Sequence, residues 1–187
     1  NRLIVGVNSY QEGQPSGAFF ARKYVGVDTN TGEALYDDGN GGTTTDWEAA
    51  PRMVVGDPNP DLFGGLGNTL TYKNFDLNFL FQFVEGVDIY NATGEFLANS
   101  GILNLSQRSD QLDRWYVPGD EASLPALDPF QENTFPSSRF LEDGSYIRLK
   151  TVTLTYSFNQ EAIARMKLGY FRVYVGGQNL FTITDYS

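Results

Sequence analysis

Hydrophobic and polar positions alternate with a period of two from Leu62 to Glu85. A hairpin closed by the two-residue turn Lys73-Asn74 accounts for the pattern, with Asn supplying the positive φ that such turns need. Tyr72 then opposes Phe75, and that one pairing fixes every other position. One face collects Leu66, Leu70, Tyr72, Phe75, Leu77, Phe79, Phe81 and Phe83. The other collects Gly65, Gly67, Thr69, Thr71, Asp76, Asn78 and Gln82, interrupted by Leu80. Asp76 and Asn78 flank Leu77, which is strand periodicity and not helical periodicity.

The same alternation returns later. Val152, Leu154, Tyr156 and Phe158 share one side of a strand, and Thr151, Thr153, Thr155 and Ser157 the other. By strict alternation Arg148 and Lys150 fall on the side of Val152. Phe171, Val173, Val175, Phe181 and Ile183 oppose Arg172, Gly176, Gln178 and Thr182. Between these strands, Asn159 to Leu168 has room for one or two helical turns, with Asn159 as N-cap and Gly169 as the stop. Strands are thus expected near 18–27, 62–72, 75–87, 145–158 and 170–184, with Leu3 to Val7 a further candidate. The stretches 28–60 and 88–143 read as long, turn-rich loops, carrying Asp37-Asp38-Gly39-Asn40-Gly41-Gly42 and Asp57-Pro58-Asn59-Pro60.

The class is all-β and antiparallel, and two architectures fit it. A soluble sandwich would bury the apolar face against a second sheet, which is the commoner arrangement. A transmembrane barrel would turn that face to lipid and the polar one to water, with Tyr72 and Phe75 in an interfacial girdle. Loops as long as 28–60 and 88–143 are uncommon in compact soluble domains. Long connections alternating with short ones are the asymmetry of outer-membrane barrels. On that pattern the strand at 75–87 runs outward and the one at 146–158 inward.

Composition removes several chemistries. The chain of 187 residues has neither His nor Cys, so it offers no histidine base, imidazole metal site, thiol nucleophile or disulfide. With 13 Lys+Arg against 23 Asp+Glu its net charge is −10, which opposes nucleic-acid binding. Acidic pairs drawn from Asp110, Asp113, Asp120 and Glu121 have no fixed separation that would mark a glycosidase. No enzyme activity is expected. No cofactor is expected either; the candidate is calcium in an external loop. Asp28-Thr29-Asn30-Thr31-Gly32 begins like an EF-hand loop, but its twelfth position is Gly39 and not Glu. Asp37-Asp38-Gly39-Asn40-Gly41 is more simply a turn.

Several stretches resemble the C-terminal barrel portion of the SusC/RagA family of TonB-dependent outer-membrane transporters. Gly26-Val27-Asp28 with Thr31-Gly32-Glu33-Ala34-Leu35-Tyr36 is similar to a segment ahead of an external loop. Val55-Gly56-Asp57-Pro58-Asn59-Pro60-Asp61 resembles a strand entry of the family, with Asp57 where Asn or Ser is more usual. Asn68 to Leu77 resembles the family hairpin. Ser137-Ser138-Arg139-Phe140-Leu141-Glu142-Asp143-Gly144-Ser145-Tyr146-Ile147-Arg148-Leu149-Lys150 is the most specific match. Arg172-Val173-Tyr174-Val175 and Gln178 to Thr184 complete it. The family's plug, TonB box and last strand do not occur in this sequence.

The resemblance implies a partial sector of a large transmembrane β-barrel in the outer membrane of a Gram-negative bacterium of the Bacteroidetes type. It implies import of oligosaccharides or peptides with a SusD-like surface lipoprotein, driven by TonB. On that basis Thr69, Thr71, Asp76, Asn78 and Gln82 are expected to face the lumen or the plug. Leu70, Leu77, Phe79, Phe81, Val152 and Leu154 are expected to face lipid. Trp115 and Tyr116, in an external loop, are candidates for sugar stacking or partner contact, against the plainer role of loop packing. The alternative function is a secreted, soluble glycan-binding β-sandwich.

Overall fold

The computed structural model describes residues 1–98, 107–127, 135–164 and 167–186. Parts of the 88–143 and 159–168 stretches, together with Ser187, lie outside the described residues. The strands are β1 (Arg2–Val5), β2 (Asn8–Gln11), β3 (Ala18–Arg22), β4 (Tyr24–Val27), β5 (Ala34–Asp37), β6 (Thr43–Thr44), β7 (Arg52–Gly56), β8 (Leu62–Tyr72), β9 (Phe75–Glu85), β10 (Asp88–Tyr90), β11 (Leu141–Asp143), β12 (Tyr146–Ser157) and β13 (Arg172–Thr184). Two short helices accompany them, α1 (Ala92–Leu97) and α2 (Gln160–Ala164). Among the described residues no helix is long and apolar enough to cross a membrane, which says nothing of a crossing by strands. The chain divides into two units, residues 1–59 with 88–142, and residues 60–87 with 143–187.

The first unit holds two small antiparallel sheets, ordered β1-β2-β3-β7 and β4-β5-β6, and nearly all of the two-stranded sheet β10-β11. The stretch at 28–60 is therefore not plain loop, because three short strands lie within it. The expected strand 18–27 is broken at Lys23, whose carbonyl accepts from the amide of Asp37 at 3.0 Å. The core is small. Ala34, Tyr36 and Ala50 are buried together, and Tyr24 and Trp47 pack against them. Burial pushes the Tyr36 hydroxyl up to about 12, because the ion would be stranded away from water. The Arg22 guanidinium lies 3.6 Å from the Trp47 ring centroid, a cation–π contact that covers one ring face. Asn91 caps α1 by accepting from the amide of Gly94 at 2.6 Å and donates to Glu142 at 2.7 Å.

The second unit is one four-stranded antiparallel sheet, ordered β13-β12-β9-β8, with α2 between β12 and β13 in sequence. In the β8–β9 hairpin Tyr72 opposes Phe75, Leu70 opposes Leu77 and Leu66 opposes Phe81. The turn differs from expectation in one detail. Positive φ, +53°, falls on Lys73 and not on Asn74. Asn74 is occupied elsewhere: its side-chain amide donates to Asn159 Oδ1 and its main-chain carbonyl accepts from the amide of Ser157 at 2.9 Å. The neighbouring connection behaves similarly. Asn159 stands just ahead of α2, and the chain turns back with Lys167 at φ +55°.

A bulge interrupts β12 at Lys150. Leu149 pairs with Phe81, yet Thr151 pairs with Leu80, so one residue of β12 has no opposite number on β9. Such an insertion reverses the parity of everything beyond it. Arg148 therefore opposes Gln82 and Thr182, on the polar side. This corrects the alternation-based placement of Arg148 and Lys150 beside Val152. The neighbours change sides with them: Ile147 opposes Phe83 on the apolar face.

Candidate functional site

The register brings the residues singled out in the sequence onto two opposed faces of one sheet. Thr69 lies opposite Asn78, Thr71 opposite Asp76, and Gly65 opposite Gln82. β12 adds Thr153 beside Asn78 and Thr155 beside Asp76, and β13 adds Gly176 and Tyr174 beyond them. Cross-strand hydrogen bonds knit this face. The Thr69 hydroxyl donates to Asn78 Oδ1 at 2.6 Å, and the Thr71 hydroxyl to Asp76 Oδ1 at 2.7 Å. Lys150 Nζ donates to Gln82 Oε1 at 3.1 Å, and Arg148 Nε to Thr182 Oγ1 at 2.9 Å. Leu80 is the apolar residue in the middle of this face, with Phe63 and Val84 opposed at its end, and the Leu80 methyl sits where Gly65 and Gly67 leave room.

The opposite face is largely apolar. Leu70, Leu77, Leu154 and Val175 follow one another across the four strands, as do Asn68, Phe79, Val152 and Gly177, the row's polar member lying at the β8 edge. Phe81 stands T-shaped to Phe79 at 5.9 Å and to Phe181 at 6.2 Å. At the short-turn end the rings crowd: Phe75–Tyr156 and Tyr156–Phe158 at 4.8 Å, then Phe158–Phe171 at 4.9 Å. Lys73 lies 5.3 Å from the Tyr72 ring, and Arg172 5.3 Å from that of Tyr170. No second sheet belongs to this unit, and the face is open: Leu66 is 61% exposed, Tyr72 70% and Val175 69%. A continuous apolar surface of this width marks contact with something apolar.

The loop aromatics part company. Trp115 is half-buried, its indole nitrogen donates to the Thr29 carbonyl at 3.0 Å, and its amide donates to Leu124 at 2.9 Å. Its ring lies on Gly32, where φ is +76° and an added Cβ would also strike Ala126. Both constraints demand glycine there, so Gly32 is a structural residue that the sequence reading missed. Tyr116 is exposed, with its hydroxyl donating to Leu112 at 3.2 Å and Arg114 5.0 Å from its ring. The acidic loops use their carboxylates internally. Asp28 Oδ1 accepts from the amides of Asn30 and Thr31, and Asp38 Oδ1 from those of Asn40 and Gly42. Those two amide bonds hold the Asp38 carboxyl below its ordinary value.

Among the residues with most bearing on the faces, Ile147, Leu149, Arg148 and Lys150 escaped a strict period-two reading. The signal was present. Apolar side chains at 147 and 149 are followed by apolar ones at 152 and 154, a step of three that only a bulge reconciles with one continuous strand.

No family model matches the chain. Individual proteins do. TonB-dependent receptor P3 of Formosa agariphila is 34% identical over 94% of this chain, and TonB-dependent receptor SusC of Bacteroides thetaiotaomicron is 27% identical over 96%. The solved RagAB peptide transporter superposes over the whole chain with a TM-score of 0.83 and 26% identity, and its closed-closed state with 0.85. These matches cover 18%, 17%, 21% and 22% of the respective partners, so the chain spans about a fifth of the proteins it resembles. The relatives are named as receptors and the solved neighbours as transporters, not as enzymes. In sequence and in fold the chain belongs with the SusC/RagA-type TonB-dependent receptors, as an all-β antiparallel sector of their barrel.

Proposed function

We propose that this sector forms part of the wall of an outer-membrane importer, with acyl chains on one side and a wet channel on the other. The observation that carries the reading is the four-stranded sheet with one hydrogen-bonded polar face and one apolar face that no second layer covers. Leu70, Leu77, Phe79, Phe81, Val152 and Leu154 meet lipid. Thr69, Thr71, Asp76, Asn78 and Gln82 line the channel. The rings of Tyr72, Phe75, Tyr156 and Phe158 form the interfacial girdle at the short-turn end. β8 and β13 are the edges of this sheet, and hydrocarbon tolerates no unpaired edge, so further strands complete the wall. The soluble sandwich is disfavoured because the second sheet it requires is missing from this unit.

The cargo is an oligosaccharide or a peptide. Likeness to the RagAB peptide importer supports a peptide, and likeness to the TonB-dependent receptor SusC supports uptake driven through TonB. A SusD-like lipoprotein on the outer surface and TonB drive from within complete the machine. In the external loops Tyr116 is free to meet cargo or lipoprotein, whereas Trp115 serves loop packing.

The test is uptake. Cells expressing the full-length receptor are offered labelled peptide and oligosaccharide mixtures, with and without TonB and with and without a SusD-like lipoprotein. Uptake of one class should depend on all three components. Uptake unchanged by loss of the receptor would contradict the proposal.

A further inference from the structure

The bulge at Lys150 does something beyond interrupting a ladder. It delivers two cations to a face that has almost no other charge. On the polar side β8 contributes Phe63, Gly65, Gly67, Thr69 and Thr71, and β13 contributes Tyr174, Gly176, Gln178, Thr182 and Thr184, with Arg172 at the short-turn end opposite Ser157. The face's carboxylate is Asp76, tied to Thr71 and about 20 Å along β9 from Gln82, at six strand steps. Arg148 and Lys150 thus have no carboxylate partner among the described residues, in a chain that carries 23 acidic side chains.

Both cations are held in place by neutral groups. Thr182 Oγ1 accepts from Arg148 Nε, and the Tyr146 ring lies 4.8 Å from the guanidinium carbon. That arrangement occupies Nε and leaves the two terminal nitrogens, the pair able to grip a carboxylate through parallel hydrogen bonds. Gln82 Oε1 accepts from Lys150, fixing a second positive charge on the same patch. Bulges that re-aim side chains gather beside functional sites.

We infer that Arg148 and Lys150, set on the polar face by the bulge and steadied by Thr182 and Gln82, form a subsite for a carboxylate-bearing solute in the channel. The inference rests on the reading of that face as channel wall, and it names the chemistry that the wall selects. Acidic cargo is drawn to this spot, and neutral or cationic cargo is not.

Gln178 provides the reporter position. It is exposed on β13, opposite Thr151 at the edge of the bulge. The full-length receptor, in outer-membrane vesicles, carries Gln178→Cys as its reactive thiol. Two thiol reagents of similar size are compared, one bearing a sulfonate and one a trimethylammonium group. The sulfonate reagent should react several-fold faster, and the preference should vanish in Arg148→Gln/Lys150→Gln. Citrate should slow the sulfonate reaction more than chloride of equal ionic strength, in the parent alone. Ready labelling with no charge preference, or citrate acting no differently from chloride, overturns the subsite while leaving the channel wall standing. No labelling by either aqueous reagent overturns both.

Discussion

Replacing Phe79 with Arg is expected to destabilise the assembled receptor by about 2–4 kcal/mol, the cost of an arginine on the lipid face near the bilayer midplane. Phe79 stands between Asn68 on β8 and Val152 on β12, in the middle of the sheet, with Phe81 as its ring neighbour. An arginine there has the longest path to either interface. Asn78→Arg, one residue away, is expected to cost far less. It gives up the hydrogen bond from Thr69, worth about 1 kcal/mol, but its charge stays in water. Folded full-length receptor in liposomes, titrated with urea, reads both. Equal loss for the two variants would mean that the faces have been assigned to the wrong solvents.

Deleting Leu149 should be at least as damaging. Without it, Lys150 is the residue left to fill the ladder position opposite Phe81 on the apolar face, and a lysine there costs about 2–4 kcal/mol near the bilayer midplane. Deleting Lys150 instead removes only the bulge. Leu149 and Thr151 become neighbours, still opposite Phe81 and Leu80 on their own faces, and the receptor should assemble. The yield of heat-modifiable receptor in outer membranes distinguishes the two. Equal yields would show that the register around Lys150 does not govern the faces.

Much of this sheet was legible because it obeys a single rule. Alternation between Leu66 and Phe83 fixed the hairpin, and one opposed pair, Tyr72 with Phe75, carried the register across it. The rule fails where backbone geometry departs from a uniform ladder. Lys150 is such a place, since a bulge adds a residue without adding a side to the strand. The turn at Lys73-Asn74 is another: propensity pointed to Asn for the positive φ, but Asn74 was claimed by a hydrogen bond to Asn159, eighty-five positions away. The first unit was hardest to read. Its strands are five residues at most, too short for alternation to emerge, and its packing rests on small groups such as the cluster around Tyr36. Trp115 illustrates the remaining gap, because nothing in the run around it indicates that its ring would settle on Gly32.

Nitroxide labels placed singly at Phe79→Cys and Asn78→Cys, in the full-length receptor reconstituted into bilayers, address the assignment of the faces most directly. Collision with oxygen reports lipid, and collision with a water-soluble nickel complex reports solvent. The label at 79 should collide chiefly with oxygen and the label at 78 chiefly with nickel. A label at 79 shielded from both, as it would be beneath a covering layer of protein, would contradict the account.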